Sequence, residues 1–335
     1  MPQLRLQLLG AFQTYLDDMS LVGYRSDKSR ALLAYLAAES DRVHRRESLA
    51  SLFWGGYNER SARRSLSSAL TNLRILLAPL TSADSQTPLL TTNWHEASFT
   101  ADPELAFIDV LEFDRLLTTA AAHQHRSMAH CAACIERLRQ AAELYRGPFL
   151  AGMSLPDAPE FDAWQTQRAQ HYEQQALLAL NTLTHHHIVA GDLRNAERYA
   201  RQQIDIDNLR EAAYRQLMTV LAAAGQRPAA LAQYEACRQI LRSELGVEPD
   251  EETTALYEEL QAGGLNRQVA MAANLLENPY KGLKPFLVGD AADYYGRDVI
   301  SSYLVDVLNR SATVGVVGPS GSGKTSLIHA GLLHQ

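Results

Sequence analysis

The sequence is poor in the features that mark secreted and membrane proteins. It has three cysteines in 335 residues, an odd and sparse set that favours a reducing compartment over a disulfide framework. No apolar run approaches the ~18 residues that a membrane-spanning helix needs. The first apolar stretch contains Arg5 and has no cleavage-site pattern, so no signal peptide is predicted. We therefore expect a cytoplasmic protein with no membrane partner.

Catalytic and metal-binding signatures are also scarce. No Ser/His/Asp or paired-carboxylate arrangement stands out from the background, so no catalytic residue is predicted. Cys131-Ala-Ala-Cys134 beside His130 has the residue types of a metal or redox site, but no second CxxC or HxxxH accompanies it. Ile135 and Leu138 give the segment the apolar stripe of a packed helix. The sequence therefore favours packing, and no metal is predicted in this chain.

Positive charge is scarce overall but locally concentrated. The formal net charge is −7, which argues against binding of nucleic acid by the whole surface. Residues 42–74 nevertheless carry seven arginines against two glutamates, a local charge of +5. Such a patch predicts either a local nucleic-acid contact or a solvated helix face.

Residues 1–100 have the outline of a winged helix-turn-helix. Alternating leucines from Leu4 predict a strand that leads into a small antiparallel sheet. Three helices follow, over about 26–38, 46–54 and 59–78, with Asn58 as the N-cap of the third. Residues 89–99 then predict a hairpin, and this order of elements is typical of winged helix-turn-helix domains.

The third predicted helix has a face suited to reading DNA. Its leucines fall in one narrow arc, so the polar residues lie opposite and face outward. Arginine pairs with guanine edges, asparagine suits adenine, and serine and threonine reach bases or phosphate. Arginines at the start of the preceding helix occupy positions suited to phosphate contacts. The candidate DNA-binding residues are Arg45, Arg46, Arg60, Arg64, Ser68, Thr71, Asn72 and Arg74.

A helical, Ala/Leu-rich region with an internal repeat follows. Ala190-Gly191 matches Ala224-Gly225, and Leu183 matches Leu217, each at a spacing of 34 residues. That period is typical of tetratricopeptide helix hairpins, in which small residues let paired helices approach closely. The region is therefore predicted to form a short helical solenoid that binds protein partners.

The last part of the sequence contains a phosphate-binding motif. Thr313 to Val317 is a β-branched run that predicts a strand, and GPSGSGKT from Gly318 to Thr325 fits G-x-x-x-x-G-K-[ST] before a predicted helix over 326–333. Lysine would reach the phosphates and Thr325 would ligate Mg²⁺ in a complete NTPase. Only ten residues follow Thr325, so we expect an incomplete NTPase domain without hydrolysis. The candidate nucleotide-binding residues are Gly318, Gly321, Gly323, Lys324, Thr325 and Ser326.

These segments resemble a known family of bacterial regulators. LRLQLLGAF, SDKSRALLAYLAAES, RRESLASLFWG and ERSARRSLSSALTNLRILL are similar to the OmpR-type DNA-binding domain in its SARP version. FIDVLEFDRLL, ELYRGPFLAG and the repeat region resemble the bacterial transcriptional activator domain that follows it in SARP proteins. ENPYKGLKPF and YYGRD resemble the entry to STAND-class NTPases. The hairpin TTNWHEASFT departs from the family's basic wing because it contains no lysine or arginine.

Together these observations predict a mainly α protein: a winged helix-turn-helix, an α-helical tetratricopeptide-like solenoid and a truncated α/β P-loop segment. The predicted domains are residues 1–100, 107–262 and 279–335, with a linker over 263–278. The resemblance implies a regulator that binds double-stranded promoter DNA and recruits RNA polymerase, commonly at direct repeats. An ATP-hydrolysing STAND NTPase with secondary DNA binding is the alternative. We expect DNA binding to need no cofactor. The sequence leaves open whether a longer protein binds ATP and Mg²⁺. It also leaves open whether the protein forms a homo-oligomer.

Overall fold

The computed structural model describes most of the chain and divides it into two compact units. The described residues are 3–17, 19–40, 42–80, 88–123, 128, 131–263, 286, 294, 296–311, 313–318 and 323–333. The first unit comprises Met1–Ala121, Glu136–Asn181 and Gln202–Asn208, and the second comprises Ala122–Ile135, Thr182–Arg201 and Leu209–Gln335. Within the described ranges, no helix is long and apolar enough to span a bilayer.

Helices dominate both units. They are α1 (Asp27–Ala38), α2 (Arg46–Trp54), α3 (Glu59–Leu77), α4 (Asp109–Ala122), α5 (Ala132–Leu144), α6 (Pro159–Val189), α7 (Leu193–Ile206), α8 (Glu211–Ala223), α9 (Arg227–Glu244), α10 (Glu251–Ala262) and α11 (Asp298–Leu308). A short helix, Lys324–Ser326, runs into a π-helical segment over Leu327–Leu332.

The strands form two small sheets in the first unit. They are β1 (Leu4–Gln7), β2 (Gln13–Leu16), β3 (Met19–Ser20), β4 (His44–Arg45), β5 (Leu90–Thr92), β6 (Glu96–Phe99) and β7 (Ala106–Ile108). One sheet has the order β3-β2-β1-β7, with β1 and β7 parallel, and the other has the order β4-β6-β5. The leucines of β1 are fully buried, as their alternation predicts.

Strand β7 extends the first sheet beyond the boundary predicted at residue 100. Leu4 pairs with Ala106 and Leu6 with Ile108, so residues outside 1–100 complete the sheet. The division into domains at residues 100 and 107 stays a prediction, and the first compact unit runs past it.

Asp109 ties the start of α4 to the end of β1. Its carboxylate is fully buried and accepts hydrogen bonds from the backbone N–H of Leu8, at 2.8 and 2.9 Å, and of Leu9, at 3.1 Å. Arg146 donates a further bond at 2.5 Å. Burial raises the pKa of Asp109 above its ordinary value, against the opposing effect of these donors. One acidic side chain thus accepts from two backbone N–H groups directly after β1.

Glu39 plays a similar part at the end of α1. Burial alone would raise its pKa, but bonds from Arg168, from the indole N–H of Trp164 and from Arg42 hold the pKa below its ordinary value. Trp164 also packs against Tyr35 with ring centroids 4.7 Å apart. These contacts fix α6 to α1 within the first unit.

The 34-residue repeat corresponds to equivalent turns in the second unit. Gly191 follows α6 with φ +73°, and Gly225 follows α8 with φ +76°, both in the left-handed region that favours glycine. Leu183 and Leu217, also 34 residues apart, are both fully buried. The repeat predicted from the sequence therefore marks two helix hairpins with the same turn and the same core positions.

Candidate nucleic-acid interface

A helix-turn-helix is formed by α2, α3 and the turn between them. Gly55 ends α2, and a Cβ atom at this position would lie 2.8 Å from the carbonyl oxygen of Ser51. Asn58 then caps α3, because its side-chain oxygen accepts a hydrogen bond of 2.9 Å from the backbone N–H of Ser61. Glycine and asparagine at these positions therefore fix where α3 begins.

Helix α3 has a buried and an exposed face, as its pattern predicts. The buried leucines are Leu66, Leu70, Leu73 and Leu77. Five candidate DNA-binding residues of this helix are exposed: Arg60, Arg64, Ser68, Thr71 and Arg74. Because the apolar stripe anchors one side of the helix, the structure brings these five side chains to its free side.

Asn72 does not belong to this exposed set, which corrects its predicted base-reading position. It is 5% exposed, and its side-chain oxygen accepts a bond of 3.1 Å from the backbone N–H of Arg25. Its amide nitrogen donates to the carbonyl oxygen of Gly23 at 3.2 Å. Asn72 lies at the flank of the helical wheel, where the approach of the segment before α1 buries it. The side chain of Asn72 therefore links α3 to the segment before α1.

The two arginines at the start of α2 have different surroundings. Arg45 is exposed at the N-cap position and makes no ion pair or side-chain hydrogen bond within the described part of the chain. Arg46 donates to the carbonyl oxygen of Asn93 at 2.9 Å and to the hydroxyl of Ser67 at 2.6 Å. The guanidinium of Arg46 therefore joins the β5–β6 hairpin to α3 and positions both.

Arg63, which the sequence-based selection left out, is neutralised within the helix-turn-helix. Its guanidinium lies 2.6 Å from Glu59 and 2.8 Å from Glu47. By contrast, four exposed arginines of the helix-turn-helix itself form no ion pair among the residues with described positions. They are Arg45, Arg60, Arg64 and Arg74. The positive potential of the outward face therefore comes from these four.

The β5–β6 hairpin presents an aromatic residue that sequence reasoning missed. The side chain of Asn93 shapes the turn by accepting bonds from the backbone N–H groups of His95, at 2.7 Å, and Glu96, at 2.8 Å. Trp94 at the tip is 92% exposed. A groove between the hairpin and α3 is lined by Trp94 together with Arg45. The signal in the sequence for this residue was a tryptophan at the predicted turn between two strands.

The phosphate-binding motif lacks the strand predicted before it. Residues 313–318 form no strand, and Val317 is 95% exposed. A strand requires a ladder partner, and none pairs with this run in the described part of the chain. The structure therefore corrects the predicted strand to an irregular segment. The predicted helix over 326–333 appears as the Lys324–Ser326 helix and the π-helical segment after it.

The candidate nucleotide-binding residues have mixed placements. Gly323 has φ +82°, the left-handed conformation that the motif requires. The ammonium of Lys324 donates to the carbonyl oxygen of Gly318 at 2.7 Å. Ser326 is buried and its hydroxyl accepts a bond of 3.0 Å from the backbone N–H of Phe286, whereas Thr325 is exposed. Gly321 lies outside the described residues.

Two family models match separate parts of the chain. Residues 108–261 match the family model of the bacterial transcriptional activator domain, and residues 279–335 match that of novel STAND NTPase 1. The regulatory protein AfsR of Streptomyces coelicolor is 27% identical over 331 residues, which cover 98% of this chain and 30% of AfsR. The resemblance to SARP-type activators is confirmed.

A solved structure supports the fold. Mycobacterium tuberculosis EmbR, determined in complex with a low affinity phosphopeptide, matches with a TM-score of 0.60 and 20% identity. The match covers 84% of this chain and 73% of the EmbR chain. The mainly helical class, a winged helix with tetratricopeptide-like helices, is thereby confirmed. The chain spans about a third of the length of its curated SARP relative.

Proposed function

We propose that this chain is a transcriptional regulator that binds duplex DNA by placing α3 in the major groove. The observation that carries the proposal is the set of four arginines without ion pairs on α3 and at the start of α2, next to exposed Ser68 and Thr71. A helix of about 10–12 Å diameter fits the major groove, which is about 12 Å wide. At about 1.5 Å per residue, the face from Arg60 to Arg74 extends over roughly 21 Å, or about six base pairs.

The roles of individual residues follow from their positions. Arg64 and Arg60, in the first turns of α3, would donate two parallel bonds to guanine O6 and N7. Ser68 and Thr71 would reach bases or phosphates further along the same face. Arg45 lies at the N-terminus of α2, where the helix dipole also favours a phosphate. Trp94 would contact the adjacent backbone from the hairpin.

Activation is the second part of the proposal. The SARP resemblance supports a regulator that recruits RNA polymerase at promoter direct repeats, with the helical repeats as the surface for protein partners. The residue pattern of the phosphate-binding motif supports nucleotide binding. A primarily ATP-hydrolysing enzyme is the weaker alternative, since residues 313–318 form no strand ahead of the motif.

Selection of duplexes from a random library by the purified chain tests the DNA-binding part. We expect enrichment of one sequence. In a plot of the logarithm of the binding constant against the logarithm of salt concentration, the slope should be about −0.9 per phosphate contact. Anisotropy titrations then compare the enriched duplex with a scrambled one. Enrichment of no sequence, or binding that is insensitive to salt, would contradict the proposal.

Two adjacent arginines provide a matched pair of variants. Arg64→Ala should weaken binding to the enriched duplex by about 1–3 kcal/mol, or about 5- to 150-fold, and lower its preference over the scrambled duplex. Arg63→Ala removes the same charge from the neighbouring position but breaks ion pairs to Glu47 and Glu59, so it should leave the preference unchanged. Equal effects of the two variants on affinity and sequence preference would contradict the assignment of α3 as the DNA-reading helix.

Transcription from a promoter that carries the enriched sequence tests activation. With purified bacterial RNA polymerase, the chain should raise the amount of transcript, and Arg64→Ala should not. Repression, or no change despite full occupancy of the site, would refute activation and leave DNA binding standing.

A further inference from the structure

Three soft or borderline ligand atoms meet between α4 and α5 in the second unit. The Nδ1 atom of His123 lies 3.3 Å from the sulfur of Cys134 and 3.4 Å from the sulfur of Cys131. All three ligand atoms lie within 4.8 Å of one another. His123 follows α4 directly, while Cys131 and Cys134 lie at the start of α5. The spacing H-x7-C-x2-C therefore closes into one cluster across the connection between the two helices.

The distances agree with coordination of one metal ion. Zinc binds sulfur at about 2.3 Å and histidine nitrogen at about 2.0–2.1 Å in a tetrahedral geometry, which places a sulfur and a nitrogen ligand about 3.5 Å apart. The observed separations of 3.3 and 3.4 Å lie close to this value. Both nitrogen–sulfur separations are therefore compatible with ligands of one ion.

The three atoms form a chemically matched ligand set. Imidazole nitrogen and thiolate sulfur are both ligands that zinc binds in proteins. A metal ion satisfies both sulfurs and the nitrogen together, because each then donates a lone pair to the same centre.

The surroundings hold the ligands in place and allow an ion to enter. The backbone N–H of Ile135 donates to the carbonyl oxygen of Cys131 at 2.9 Å, so the first turn of α5 begins at this cysteine. Cys134 is buried, Cys131 half-buried and His123 exposed. The cluster is thus anchored on one side and open to solvent on the other.

We propose that His123, Cys131 and Cys134 form a binding site for a zinc-like divalent cation, which joins the end of α4 to the start of α5. The fourth tetrahedral position is left to water or to another donor. The sequence favours packing because no second CxxC or HxxxH motif accompanies the cysteine pair. The third ligand instead comes from the end of the preceding helix. His130, considered together with the cysteine pair, lies outside the described residues.

Cobalt(II) titration of the reduced, chelator-treated chain tests the site. Cobalt reports thiolate ligation by a near-ultraviolet charge-transfer band and tetrahedral geometry by intense visible bands. We expect both bands to saturate at one cobalt per chain, and zinc to displace the cobalt. An absent charge-transfer band in the fully reduced chain would overturn the proposal.

Variants separate this site from other metal-binding groups. His123→Ala removes an exposed ligand, so the fold should survive, and cobalt affinity should fall by at least about 10- to 100-fold, the loss typical of perturbing even an outer-shell group. Cys131→Ser should abolish most of the charge-transfer band. Unchanged spectra in both variants would overturn the assignment.

Two controls complete the design. Cys237 in α9 is buried, and burial raises the pKa of its thiol to about 12, so Cys237→Ala should leave the cobalt spectrum unchanged. His186→Ala tests the three consecutive histidines of α6 and should also have no effect. Loss of the bands in either control, with retention in His123→Ala, would refute the proposed ligands.

Discussion

The helix-turn-helix and the phosphate-binding motif both contain groups suited to phosphates, but their support differs. In the first, α3 rests on a stripe of buried leucines, and Asn58 and Gly55 fix its start. Its outward arginines form no ion pair within the described residues, whereas Arg63 forms ion pairs with Glu47 and Glu59. The candidate DNA-binding side chains there are exposed on a helix that is anchored to the core.

In the phosphate-binding segment, the motif residues are present but less supported. Residues 313–318 form no strand and Val317 is almost fully exposed. The ammonium of Lys324 is bonded to the carbonyl of Gly318. A P-loop is held in shape by neighbouring strands, whose hydrogen bonds and side chains order it. The comparison teaches that a binding motif acts only with the packing that keeps its donors open.

The largest effect is expected where the support of the winged helix is removed. Asp109→Ala leaves two strand-end amides and Arg146 without their buried acceptor. The free energy of unfolding in urea should fall by about 3–5 kcal/mol, and DNA binding should fall with it. The control is Glu112→Ala on the same helix, which breaks a surface pair with Arg115 and should cost at most about 1 kcal/mol. Equal losses of stability in the two variants would contradict the supporting role of Asp109.

Asn72→Ala should affect stability rather than sequence preference. The variant loses the bonds to Arg25 and Gly23 in a buried position, so urea denaturation should show a loss of about 1–3 kcal/mol. Under conditions where it is folded, its preference for the enriched duplex should be that of the parent. Ser68→Ala is the matched exposed control and should change stability by no more than about 0.5 kcal/mol. A relaxed preference in Asn72→Ala with full stability would restore a base-reading role.

A substitution at the start of α2 should have a smaller effect on DNA binding, and the effect should be the same for all sequences. Arg45→Ala removes a phosphate contact, so anisotropy titrations should show similar weakening for enriched and scrambled duplexes. The salt slope should decrease by about one unit. Arg115→Ala, which removes an arginine paired with Glu112, should leave the slope unchanged. A change in preference rather than slope would place Arg45 at a base.

The smallest effect is expected at the phosphate-binding motif. Lys324→Ala should leave DNA affinity unchanged, because the lysine is bonded within its own loop. We expect this chain to bind Mg-ATP weakly and to show no steady phosphate release in a coupled assay. Turnover that Lys324→Ala abolishes would show that the motif has the support we find lacking.

Sequence patterns predicted the local parts of this protein well. Helix α2 and the start of α3 follow from caps, glycines and leucine spacing, which depend on neighbours a few residues apart. The 34-residue repeat similarly predicted two equivalent helix turns, because each repeat meets the same packing requirement. The exposed face of α3 follows from the same periodicity.

Only the tertiary structure decided which of the candidate residues remain available. Asn72 lies at a flank that the segment before α1 buries, and Arg46 is bonded to the hairpin. His123 lies close to Cys131 and Cys134, although seven residues separate it from the nearer cysteine in the sequence. Periodicity specifies the direction of a side chain on its own element, but burial and partners depend on elements distant in sequence, whose approach is set by packing of the core.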